Sequence, residues 1–228
     1  MKTLRVLAIT FKSELEPWEV SAFRAAIIEI AGREYTLFHN HEDDNYLYEY
    51  PRIQYKRIGK KAAIVCLEEG IDELHHFFNR KGRVALIGDR EIELEVERVK
   101  LYPFQFRLIP HQLRYKIKNW VALNEENYKK FRISNDIEQN LDMLSKILTG
   151  NIISMAKSID WTIDGMIQTH IKQLSFPKIV KIKNTKMTTF DADFETNVAL
   201  PAYIGLGKSV SKGFGVVLPQ NEKKFTDI

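Results

Sequence analysis

His39 and His41 stand two apart in Phe38-His39-Asn40-His41, and two imidazoles at that spacing are equipped for proton transfer. In an extended backbone, residues i and i+2 project from one side with Cα atoms about 6.5 Å apart, so both rings would face one reacting group. Free histidine titrates near about pH 6.5, and one ring can therefore accept a proton while its neighbour donates one at neutral pH. Cleavage of an RNA phosphodiester by its own 2′-hydroxyl needs that division: a base for the 2′-proton and an acid for the departing 5′-oxygen. A nearby cation would steady the charge of the transition state. Arg52 and Lys56 follow in Tyr50-Pro51-Arg52-Ile53-Gln54-Tyr55-Lys56 and share strand parity, with Arg57 next in line. Two other readings stay open on these residues: a metal pair completed by Asp43 or Asp44, or two histidines on a solvated turn. Tyr46 and Tyr48 are close enough in sequence to act as substitutes.

A second group with chemical potential lies near the C-terminus, where Gly205, Gly207, Gly213 and Gly215 surround Lys208, Ser209 and Lys212. Residues without Cβ let backbone amides approach a phosphate, and the lysines add charge beside them. A dinucleotide fingerprint is excluded because Val210 occupies the third glycine position. A Walker A loop fails because Ala202 stands where its first glycine belongs, and 19 residues after Ser209 are too few for a P-loop fold. A small-molecule or nucleotide enzyme is accordingly remote, and a glycine hairpin without a ligand stays open.

The net charge of +4 over 228 residues is only mildly basic, but its distribution is uneven. Stretches 98–124, 165–190 and 196–221 contain no Asp or Glu. The first carries Arg114 and Lys116 among its cations, and together the three would form a phosphate-tracking groove if they shared a face; the alternative is solvated strand and helix faces. Cys66 is the only cysteine, which excludes a disulfide framework and a multi-cysteine zinc site; its apolar surroundings suit a buried small residue. No run approaches about 18 apolar residues, so a cytoplasmic protein without a membrane span is expected.

The elements that must position these groups are legible in part. Leu4 to Phe11 reads as a strand, and the stretch after Pro17 reads as a helix ending at Gly32. Two strands, 52–58 and 62–67, flank Gly59-Lys60-Lys61 as a tight hairpin. A short amphipathic helix (70–80) and a strand within 83–99 complete a split βαβ pattern, ferredoxin-like or RRM-like. Farther on, 114–123 reads as a strand and 136–156 as a long helix. Segments 180–187 and 199–204 read as strands flanking an acidic turn, and 214–218 as a last short strand. The expected class is α+β: two ferredoxin-like (RRM-like) domains in tandem, 1–97 with the histidine pair and 98–228 modified and ending in the Gly-rich loop.

The spacing G-x-G-x5-G-F-G near a C-terminus, ahead of a short apolar strand, resembles the glycine loop of the CRISPR-associated (Cas) repeat-RNA endoribonucleases, the "Cas six" family. The H-x-H followed by Y-P-x-I-Q-Y-K, and Asn119-Trp120-Val121-Ala122-Leu123-Asn124 before a helix, are similar to its "b" subtype. That resemblance implies two ferredoxin-like domains and cutting of precursor RNA within CRISPR repeats, leaving 5′-hydroxyl and 2′,3′-cyclic phosphate ends. It puts catalysis on His39 and His41 with support from Arg52 and Lys56. RNA binding falls to Gly205, Gly207, Lys208, Ser209, Lys212, Gly213, Gly215, Arg114 and Lys116. No metal or cofactor is expected. The implied partners are CRISPR repeat RNA and other CRISPR effector proteins, with the chain a monomer or homodimer. The alternative is a non-catalytic RNA-binding subunit of the same fold.

Overall fold

The structure is a computed structural model that describes residues 1–220 except 40, 43–44, 47–49, 81, 83, 135 and 183–184; at 41–42, 45–46, 182 and 185 it describes the backbone only. The chain forms two compact units. One comprises Thr3–Phe104 together with Val210–Gly213, and the other Met1–Lys2, Gln105–Ser209 and the segment from Phe214.

In the N-terminal unit, β1 (Lys2–Glu14) leads through a 3-10 turn at Pro17–Glu19 into α1 (Val20–Ala31). Proline fits there because its missing N–H has no partner in a first turn. The short pair β2 (His41–Glu42) and β3 (Asn45–Tyr46) comes before β4 (Ile53–Ile58) and β5 (Lys61–Leu67). The hairpin expected at Gly59-Lys60-Lys61 joins these last two through a two-residue turn, Gly59-Lys60, with Lys61 already paired to Ile58. There follow α2 (Glu69–Phe78), the hairpin β6 (Val84–Ile87) and β7 (Arg90–Glu93), and β8 (Val96–Phe106). Sheet order β4-β5-β1-β8 is the ferredoxin-like one. The closing strand is β8, since residues 84–93 are used up in their own hairpin.

Alternation dictates which face of this sheet meets the helices. Ile9, Phe11, Ile53, Tyr55, Ile64 and Cys66 share one core with Phe23 and Ile27 of α1 and Leu74 and Phe77 of α2. Phe23 packs edge-on against Phe11 at 6.0 Å and against Tyr55 at 5.9 Å, a geometry that aromatic quadrupoles favour. Cys66 is buried as expected, and burial pushes its thiol pKa up. The alternate residues of β4, Gln54 and Lys56, are also fully buried.

The C-terminal unit contains β9 (Leu108–Trp120), α3 (Glu125–Ile133), α4 (Ile137–Ser158), β10 (Thr169–Leu174), β11 (Lys178–Ile182), β12 (Thr185–Val198) and β13 (Val216–Pro219). Asp136 caps α4, accepting from the amides of Glu138 and Gln139 at 2.9 and 3.2 Å, as such a residue should. The sheet runs β10-β12-β9-β13, with β11 pairing to β12. This is again ferredoxin-like order, but the second helix is replaced by the segment 199–215 that carries the glycine loop. Two expectations are corrected. Residues 199–204 form no strand, and the acids at 191–195 lie inside the 14-residue β12 rather than in a turn. Their alternation with buried Ala192, Phe194, Thr196 and Val198 is the period of a half-buried strand. No helix among the described residues is long and apolar enough to cross a membrane.

Candidate functional site

His39 closes a 3-10 turn at Thr36–Phe38, with φ −124° and ψ −7°. That backbone is not extended, so the period-two rule does not by itself place the two rings side by side. Its Nε2 lies 2.8 Å from the Arg33 carbonyl oxygen. A carbonyl only accepts, so Nε2 carries the proton and a neutral ring keeps its lone pair on Nδ1. The His39 carbonyl accepts from Arg24 of α1 at 2.6 Å. One residue earlier, the Phe38 carbonyl accepts from the Tyr55 hydroxyl at 3.0 Å, where both side chains are buried. The histidine segment is thus fastened to α1 and to β4. His41 opens β2 and pairs in register with Tyr46 of β3; the side chains of both, and all of Tyr48, lie outside the described residues.

Arg52 and Lys56 do not lie as expected. The Arg52 side chain is 17% exposed and its Nε is 3.5 Å from a Glu69 carboxylate oxygen. Lys56 is fully buried, its Nζ donating to the Val210 carbonyl at 3.1 Å. Burial alone pushes this ammonium down from its ordinary 10.5 to about 7, because a low-dielectric surrounding disfavours the charged form. Instead of facing solvent where a phosphate would sit, Lys56 points to the glycine loop.

Within that loop Gly205 bridges Val216, and Leu206 donates to the Gly215 carbonyl at 2.9 Å. Gly215, at φ +64°, donates to the Asn119 carbonyl at 3.1 Å, and a Cβ there would overlap the Leu206 carbonyl oxygen. Gly207 lies against the indole of Trp120, whose Nε1 donates to Asn151 at 2.9 Å. These glycines answer to packing within the protein as well as to any phosphate. Ser209 adopts φ +58°. Lys208 is exposed, while Val210 is buried and starts a 3-10 turn, Val210–Lys212, that belongs with the N-terminal unit. Gly213 ends that turn.

The basic sheet face needs a further correction. Arg114 and Lys116 sit directly across from Glu195 and Asp193, at 3.0 and 3.3 Å. Lys172 pairs with Glu195 at 3.1 Å and Lys178 with Asp191 at 3.2 Å. Glu195 is accordingly held below the usual carboxylate range, first by Lys172 and then by Arg114. Each exposed pair contributes at most about 1 kcal/mol to stability, but four cations here face three acids. Among the described residues of this unit, the exposed cations without such an ion pair are Arg107, Lys118, Arg132, Lys157, Lys181, Lys186 and Lys208. Lys118 is a neighbour of Asn119 and hence of the loop's end. Also among the described residues, no group of three or more His, Cys, Asp or Glu is arranged to hold a metal ion.

Two ferredoxin-like units in tandem, the second closing on a glycine loop in place of a helix, put this chain in the architectural class of the Cas6 proteins. Residues 2–105 match the Cas6b N-terminal domain family and residues 108–220 the Cas6b C-terminal domain family. The chain belongs to the Cas6b family. A crystal structure of Cas6b superposes with a TM-score of 0.88 at 29% identity, over 96% of this chain and 100% of that one. The crystal structure of a CRISPR RNA processing endoribonuclease Cas6b gives 0.74 at 28% identity, over 96% and 100% of the two chains. An uncharacterized protein of Methanocaldococcus jannaschii is 35% identical over 145 residues, which is 63% of this chain and 92% of that protein.

Proposed function

We propose that this chain is a metal-independent endoribonuclease that cuts CRISPR precursor RNA within its repeats. The observation that carries this reading is the likeness over 96% of the chain to a Cas6b that is a CRISPR RNA processing endoribonuclease. His39 and His41 act as the acid–base pair. With Nε2 engaged by the Arg33 carbonyl, neutral His39 takes up protons through Nδ1. The 2′-oxygen attacks the adjacent phosphorus, the 2′-proton passes to one imidazole, and the other protonates the leaving 5′-oxygen. The products carry a 2′,3′-cyclic phosphate and a 5′-hydroxyl. Lys208 and Lys212 of the loop hold the RNA backbone, and Lys118 adds a cation beside it; Arg114 and Lys116 contribute after exchanging their carboxylate partners for phosphate. CRISPR effector proteins that receive the product are the natural partners. Two domains divided near residue 105 divide the work, the first cutting and the second holding.

The test is cleavage of repeat RNA in EDTA with analysis of product ends. The wild-type chain is expected to cut and a His39→Ala/His41→Ala variant to bind without cutting. Undiminished cutting by that variant would sink the site assignment. A 2′-deoxy nucleotide before the scissile bond should bind and resist cleavage; cutting of that substrate rules out attack by the 2′-oxygen.

A further inference from the structure

Lys56 is a charged residue in a place where an apolar one would bury more favourably, since removing an ammonium from water carries a large desolvation penalty. Hydrogen-bond accounting does not require it. The Val210 carbonyl already accepts from the Gly213 amide at 3.2 Å, so the turn would be satisfied without a lysine. The 3.1 Å bond from Lys56 is an additional tie between β4 and the turn 210–212. Gly213 closes the same turn from the other side: at φ +85°, its Cβ position lies 2.9 Å from Val20 Cγ1 and 3.3 Å from the Tyr55 carbonyl oxygen. Adjacent side chains of a strand point to opposite faces. Tyr55 therefore reaches the Phe38 carbonyl beside His39 on one face, while Lys56 reaches Val210 on the other.

We propose that Lys56 is a positioning residue for RNA binding: its buried amino group fastens the turn 210–212, and so Lys212, to the strand that also fastens the histidine segment. This rests on the proposed RNA-processing function for its consequence and on the geometry alone for the tie itself. The residue touches no RNA. It sets where Lys212 is presented, so its loss should fall on affinity rather than on the rate of the bound complex.

The experiment pairs hydrogen exchange with RNA binding for Lys56→Met, which keeps length and burial but has no donor. Peptides covering 205–215 should exchange about tenfold faster while those covering 61–67 are unchanged, the signature of one lost local tie. The dissociation constant for repeat RNA should rise about tenfold and single-turnover cleavage at saturating RNA stay within about twofold. Gly213→Ala, which keeps Lys56 and wedges the turn away from Val20, should give the same split. The inference is overturned by wild-type exchange at 205–215, by faster exchange throughout the unit, or by a loosened loop with unchanged RNA affinity. A wild-type chain that neither binds nor cuts repeat RNA defeats the proposed function instead, and the exchange data still decide whether the tie exists.

Discussion

A buried ammonium titrating near neutrality makes stability depend on pH with a definite sign. Folding moves Lys56 from its ordinary 10.5 down to about 7. Between those values the unfolded chain holds a proton that the folded chain has released, so stability rises with pH. The slope reaches about 1.4 kcal/mol per pH unit, but at pH 7 the folded group is half charged and the slope is half that. From pH 7 to pH 9 the gain is on the order of 2 kcal/mol. Above that range Cys66 and Tyr55 oppose it, because burial raises both and their unfolded forms lose protons from about 9 and 10. Urea unfolding of wild type and Lys56→Met, followed by circular dichroism at half-unit steps from pH 7 to pH 9, isolates the lysine, since every other group is common to both. The stability difference between the proteins should shift by about 2 kcal/mol in favour of wild type as pH rises. Parallel pH profiles would refute the argument, showing that the ammonium is solvated.

Tyr55→Phe leaves the buried Phe38 carbonyl without its 3.0 Å donor, which should cost about 1–3 kcal/mol in urea unfolding and slow single-turnover cleavage with little change in RNA affinity. Glu195→Gln releases Arg114 and Lys172 from their shared carboxylate. It should tighten RNA binding and steepen the plot of log Kd against log salt by about 1–2; an unchanged slope would mean that neither cation meets phosphate.

Local signals with a single physical cause were readable in the chain. Proline at residue 17 and the Gly59 turn each answer to one backbone requirement, and the structure meets both. Pairings between distant strands were not readable in this way. The acid-free stretches read as a basic surface only while 191–195 counts as a turn, although the alternation Asp191, Ala192, Asp193, Phe194, Glu195 already has the period of a strand. Once β12 lies beside β9, its acids sit among the cations. The surroundings of Lys56 are hidden for a similar reason: parity along β4 gives which residues share a face, whereas what covers that face comes from Val210, 154 positions away. The tie from Arg24 to His39 likewise depends on how α1 lies over the turn, which no local pattern encodes.

The acid ladder of β12 also bears on discrimination. A cell is full of polyanions, and a sheet face bearing uncompensated Arg114, Lys116, Lys172 and Lys178 would attract any of them through counterion release. Intramolecular carboxylates act as built-in competitors: any polyanion must displace Asp191, Asp193 and Glu195 to gain contact with those four cations.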